Sequence, residues 1–276
     1  MPPLPPVPLL AALPWGHLAL VLGGALLGMV ALWSLPIARR NAAIVDVGWA
    51  AFLGLAAVGL AAAGSGPVAR RALLAGMVGL WSARLVTHLV RERLAEGVEE
   101  GRYRRLRKRW GAKADRLFLP FFLAQGVLVA ILSLPFLLAA NDTSAFPAWW
   151  DVGALLLWGT AFALEALADR QLARFRARPD SRGRTCREGL WRLSRHPNYF
   201  FEWLQWCAFA LLASGAPFGW LAWSAPLLLL VFVLKITGIP PTEAQALRTR
   251  GDDYRRYQAT TSPFVPWFPR REETTT

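Results

Sequence analysis

Long apolar runs separated by arginine-rich segments constrain this chain more than any other feature. Seven runs reach or approach the ~20 residues that carry a helix across a bilayer. They lie at roughly 17–36, 42–63, 72–90, 117–139, 152–168, 199–214 and 219–236. The runs are continuous rather than alternating, which disfavours a β-barrel. In hydrocarbon every backbone N–H and C=O needs a partner within the span, so each run predicts a helix. Fourteen tryptophans, 55% hydrophobic residues and a mean hydropathy of +0.33 are more apolar than a soluble domain of this length. The expected fold is all-α: a polytopic membrane protein with one domain from residue 17 to 276, after a Pro-rich lead at 1–16.

Charge sets the orientation. Of the 31 Lys and Arg, 28 fall in the segments that follow runs one, three, five and seven, counting Lys235 at the end of run seven. The positive-inside rule then predicts seven spans, the N-terminus outside and the C-terminus cytoplasmic. This sidedness accounts for the net charge of +13 and makes nucleic acid a poor partner. Much of that charge would meet anionic lipid head groups in any bacterial inner-membrane protein. The lead carries no Lys or Arg before the first run, which predicts a retained first helix rather than a cleaved leader. Cys186 stands in a basic loop and Cys207 in an apolar run, so a disulfide is not expected, and no metal-ligand spacing occurs.

Polar residues recur where lipid should be. Pro197 suits the first turn of a helix, and from there Asn198, Glu202 and Gln205 fall on one face at i, i+4 and i+7. Glu165, Asp169 and Arg176 align if their helix runs past the fifth span. Arg84, His88 and Arg91 share a face one turn beyond Trp81, and Asp46 shares one with Trp49. Charged groups at membrane depth are costly and normally face a bundle interior or a wet cavity. All of these sit toward cytoplasmic ends, which predicts one cavity open to the cytoplasm. The alternative for any single residue is a buried ion-pair network, for example Asp46 with Arg84 and Glu165 with an arginine.

Arginines crowd the loops above: Arg91, Arg93, Arg102, Arg104, Arg105 and Arg107, then Arg174, Arg176, Arg178, Arg182 and Arg184. Guanidinium groups bind phosphate in bidentate fashion, so a rim of this kind suits a nucleotide cofactor. No Gly-x-Gly-x-x-Gly follows a strand, which excludes a Rossmann site as the basis. After Pro240-Pro241-Thr242-Glu243 the tail holds Tyr254 and Tyr257, which could close over a ligand, and Trp267 and Phe268, which suit head-group depth.

Several of these pieces resemble the steroid 5-alpha-reductase-like membrane family in its broad bacterial branch. They are Val45-Asp46-Val47-Gly48-Trp49, Glu165-x-x-x-Asp169-x-Gln171, Gly189-Leu190-Trp191-Arg192-x-Ser194-Arg195-His196-Pro197-Asn198-Tyr199-Phe200-x-Glu202, and the tail from Tyr254 to Pro269. Isoprenylcysteine carboxyl methyltransferases are similar around Arg195-His196-Pro197-x-Tyr199 and in the tail. The resemblance implies a seven-helix bundle that takes NADPH from the cytoplasmic side. Asn198 and Glu202 would contact the cofactor, with Glu165 and Asp169 on a neighbouring helix. Arg91, Arg93, Arg102 or Arg176 would hold phosphates, and Arg84, Arg195, His196, Tyr199 and Tyr254 complete the expected cofactor set. Asp46, Trp81 and His88 are the expected catalytic groups.

Three departures shape the substrate. Phe201 replaces the family's glycine before Glu202. Asp46 and Trp49 stand where the steroid enzymes carry a glutamine–glutamate pair, and Trp81 aligns with their catalytic tyrosine. The expectation is therefore an NADPH-dependent reductase of a conjugated C=C bond in a lipophilic enone. A SAM-dependent methyltransferase and a non-enzymatic lipid-binding protein are the alternatives.

Overall fold

A computed structural model describes residues 14–35, 38, 41–94, 99 and 101–270. The first 13 residues of the Pro-rich lead, the end of the first expected span at Pro36, Arg39 and Arg40, and the last six residues lie outside it. Among the described residues every regular element is helical. Eleven α-helices are named here in order: α1 Trp15–Ser34, α2 Ile44–Ala63, α3 Val68–Leu89, α4 Gly101–Trp110, α5 Ala114–Leu132, α6 Leu134–Ala140, α7 Trp149–Arg176, α8 Pro197–Leu212, α9 Ser224–Val231, α10 Ile239–Arg250 and α11 Asp252–Thr260.

Six stretches are long and apolar enough to cross a membrane: Trp15–Ser34, Ile44–Ala63, Val68–Leu94, Gly101–Ala140, Trp149–Arg176 and Gly219–Arg250. They cover six of the seven expected spans. The remaining one is α8, whose 16 residues extend about 24 Å at 1.5 Å each, short of the ~30 Å hydrocarbon core. Its apolar run breaks in the turn at Ser214-Gly215.

The described chain forms two compact units, residues 1–151 with 212–222, and residues 152–211 with 223–276. In the first, α2 packs on α3 and α1 on α5. Gly54 lets α3 approach so closely that a Cβ there would run into Ser82, whose hydroxyl donates to Ala50 O at 2.8 Å. Gly28 serves the same purpose under Phe52, while its GxxxG companion Gly24 meets nothing.

Arg70 lies in the first turn of α3, ahead of the apolar run that begins near residue 72, and is fully buried. Its Nε donates to Asp151 Oδ1 at 2.7 Å and its Nη2 to Asp151 Oδ2 at 2.9 Å. The same guanidinium reaches the carbonyls of Asp142, Ser144 and Ala145 at 2.9, 3.1 and 2.9 Å. All five N–H donors are thereby used, and the loop between α6 and α7 is tied to the start of α3.

In the second unit, α7 continues well past the apolar run to Arg176. The loop that follows turns through Gly189, at φ +55°, where a Cβ would strike the Gln171 amide. Gln171 Oε1 accepts the Leu190 N–H at 2.9 Å, and the Trp191 indole donates to Ala168 O at 2.9 Å. This anchoring sets the position from which α8 starts.

Candidate functional site

Two polar clusters stand out, one in each unit. In the second unit, α7 and α8 present their predicted faces to each other in antiparallel fashion. Asn198 Nδ2 lies 3.4 Å from Asp169 Oδ1, and further along Gln205 Nε2 donates to Glu165 Oε2 at 2.5 Å. Each rung pairs a carboxylate with a carboxamide. Glu165 is 6% and Gln205 0% exposed, and the Gln205 amide oxygen, Oε1, is buried with no hydrogen-bond partner. A buried acceptor left open costs roughly 1–3 kcal/mol. Glu202, one turn from Asn198, accepts the Trp206 indole N–H at 3.2 Å.

Arg195 and His196 immediately precede α8, and both turn to Glu243 of α10. Arg195 Nε donates to Glu243 Oε1 at 2.7 Å, with His196 Nε2 3.3 Å from the same oxygen. The Tyr254 hydroxyl donates to Oε1 at 3.2 Å, and Gln258 Nε2 donates to Oε2 at 2.7 Å. Four side chains thus meet on one carboxylate. His196 also stacks on Tyr199 with ring centroids 5.3 Å apart, and the Tyr199 hydroxyl is 3.2 Å from Thr242 Oγ1.

The tail closes over the loop before α8. Arg195 Nη1 donates to the carbonyls of Gln258 and Thr261, its own N–H bonds Ser262 O at 2.8 Å, and Trp267 N–H bonds Leu193 O at 2.9 Å. Tyr257 is buried, and its hydroxyl donates to the carbonyls of Trp191 and Ser194. Burial pushes the phenols of Tyr254 and Tyr257 well above their ordinary range, so both act as neutral donors.

In the first unit the centre is Asp46, on the first turn of α2. Its Oδ1 accepts the Tyr103 hydroxyl at 2.8 Å; its Oδ2 accepts Arg93 Nη1 and, at 3.0 Å, Arg102 Nη2. The Arg102 guanidinium lies 4.6 Å from the Tyr103 ring centroid. Alongside, Arg107 grips Glu99 with Nε and Nη2, each at 3.0 Å, and Asp115 at 2.8 Å. Asp46 is therefore paired with Arg93 and Arg102 rather than Arg84. Trp81 is fully buried, edge-on to Trp49 at 6.2 Å. Arg84 is half-buried, while His88, Arg91 and Arg176 are exposed.

Sequence reasoning missed Glu243, Gln258 and Tyr103. The tail motif named Glu243 without a role, and its only local signal was a carboxylate one turn after the α10 prolines. Tyr103 was hidden in a run of arginines. Among the described residues no three His, Cys, Asp or Glu side chains form a set that could hold a metal ion.

Comparison with known proteins fits this picture to a family. The family described as "Protein of unknown function (DUF1295)" matches residues 32–261. The chain belongs to the DUF1295 family. An uncharacterized protein of Schizosaccharomyces pombe is 31% identical over 219 residues, 70% of this chain. The match spans 63% of that relative's length. No solved structure matches the chain. The DUF1295 match takes in both clusters, from Asp46 to the tyrosines of α11.

Proposed function

We propose that this DUF1295 chain is an integral-membrane NADPH-dependent reductase of a conjugated C=C bond in a lipophilic enone. In this reading it crosses the membrane seven times, with α8 as the short crossing and the site toward the cytoplasm. The observation that carries the reading is the pairing of Asp169 with Asn198 and Glu165 with Gln205 on facing helices. A structural ion pair would not need two carboxamides. Carboxylates and amides together accept and donate to ribose hydroxyls and to a nicotinamide carboxamide, so the donor set fits the cofactor. The long 3.4 Å contact of Asn198 and the open oxygen of Gln205 leave capacity for such a partner. The resemblance to steroid 5-alpha-reductase-like proteins supports the same assignment.

NADPH, when bound, would supply a hydride to the carbon β to the carbonyl. This chain's residues would bind and orient it: Asn198, Glu202, Asp169 and Glu165 along the helix face, Arg91 and Arg176 at the phosphates. Arg93 and Arg102 already serve Asp46 and would have to leave it to join them. Arg195, His196, Tyr199 and Tyr254 hold the loop and tail in place through Glu243 and Thr242. Polarising the substrate carbonyl and stabilising the enolate needs a hydrogen-bond donor, and Asp46 is an acceptor for Tyr103, Arg93 and Arg102 in this arrangement.

The engagement of Arg93 and Arg102 favours one second reading, a SAM-dependent methyltransferase, because SAM has no phosphate to hold. The test is a thermal-shift and calorimetric titration of detergent-solubilised protein with NADPH, NADH and SAM. A ligand at 100 times its Kd stabilises by about 2.7 kcal/mol. NADPH should bind, and Asn198→Ala or Glu202→Ala should weaken it at least tenfold. Equal binding by the variants, or a shift with SAM alone, would sink the reductase reading.

A further inference from the structure

The helix Gly101–Trp110 sorts its cations by face. Tyr103, Leu106, Arg107 and Trp110, at i, i+3, i+4 and i+7, are buried or half-buried, and Arg102 joins them on Asp46. Arg104, Arg105, Lys108 and Arg109 are all exposed on the opposite side, followed by exposed Lys113 and Arg116. Among the described residues no carboxylate pairs with any of these six. Among the described residues the acids nearest in the chain, Glu99 and Asp115, both engage Arg107.

The same stretch is the start of a membrane-crossing segment. Gly101–Ala140 has 40 residues, about 60 Å of helix at 1.5 Å each, twice the ~30 Å hydrocarbon core. Roughly half must therefore lie outside it, and the ten-residue basic helix is part of that half. Gly111, at φ +53°, turns the chain between α4 and α5, and Leu117, 39% exposed, begins the lipid-facing surface of α5. The outward cations therefore stand at head-group depth.

We propose that the outward face of α4, Arg104, Arg105, Lys108 and Arg109, is a docking surface for an anionic phospholipid of the surrounding leaflet. The inward arginines are withdrawn from this role by Asp46, Glu99 and Asp115. Each cation near a charged head-group layer contributes about 1 kcal/mol, which is about fivefold in binding. Four together should give well over tenfold preference for an anionic over a zwitterionic lipid, weakened by salt.

The experiment titrates the full chain in neutral detergent with phosphatidylglycerol or phosphatidylcholine, reading bound lipid by native mass spectrometry. Phosphatidylglycerol should bind at least tenfold more tightly than phosphatidylcholine. The joint variant Arg104→Gln, Arg105→Gln, Lys108→Gln, Arg109→Gln should lose that preference. A charge-keeping variant, Arg104→Lys, Arg105→Lys, Arg109→Lys, should stay within about threefold of wild type. If the neutral quadruple variant does not fold, Arg104→Gln with Arg105→Gln, and Lys108→Gln with Arg109→Gln, should each lower the preference about fivefold or more. Three results would overturn the proposal. They are an unchanged preference in the neutralised variants, an equal loss in the control Arg174→Gln with Arg182→Gln, or displacement of the lipid by equimolar inorganic phosphate.

Discussion

Replacing Glu243 by alanine should open the tail without unfolding the protein. The Arg195–Glu243 pair is largely withdrawn from water, with side-chain exposures of 11% and 15%. Removing one partner of a fully buried pair costs about 3–5 kcal/mol. Here Arg195 keeps two carbonyl acceptors, Gln258 O at 2.9 Å and Thr261 O at 2.8 Å. Tyr254 and Gln258 lose only hydrogen bonds. A local loss of about 2–3 kcal/mol follows, or roughly 30- to 150-fold more frequent opening. The assay is hydrogen exchange read at the Arg195 and Trp267 amides, which donate to Ser262 O and Leu193 O across the loop–tail junction. Both should exchange faster by that factor, while amides of α2 keep their protection. A change below threefold would refute the view that one carboxylate holds the tail. So would equal acceleration in α2, which would mean global unfolding.

Other perturbations test other parts of the architecture. Asp151→Ala removes the bidentate partner of the fully buried Arg70 but leaves Asp142 Oδ2 at 3.2 Å, so the cost should fall below the ~3–5 kcal/mol of an uncompensated buried charge, at about 2–3 kcal/mol; a thermal midpoint within error of wild type would show that the clasp at the start of α3 is not needed. Gly189→Ala combines a left-handed backbone with a clash against Gln171 and should cost about 1–3 kcal/mol, measured by denaturant melting of the solubilised protein. Burial pushes the Cys186 thiol above its ordinary value, so the reactive thiolate is scarce at neutral pH. Alkylation of folded protein should be slow at pH 7, speed up as pH rises, and become fast on denaturation. Rapid labelling at pH 7 would contradict its burial.

Much of the helical architecture was legible in the sequence because a bilayer admits few solutions. An apolar run of bilayer length must satisfy its backbone internally, so run length alone predicts a helix. Period 3.6 likewise placed Asn198 with Gln205 and Glu165 with Asp169 before any contact was visible. The exception was α8, where composition predicted a span and the turn at Gly215 left 16 residues.

What sequence could not decide was which polar group meets which. Arginines in one short helix look alike as letters, yet two of them turn to Asp46 and Glu99 while their neighbours face outward. Asp46 reads as a lone carboxylate on an apolar helix until Arg93, Arg102 and Tyr103 arrive from about 50 residues away. Glu243 becomes a hub only when residues 195 to 258 are folded around it. Helical periodicity is a local property of the chain, and it determined class and faces. Ion pairing depends on side-chain approach across sequence-distant elements, and only tertiary structure decided it.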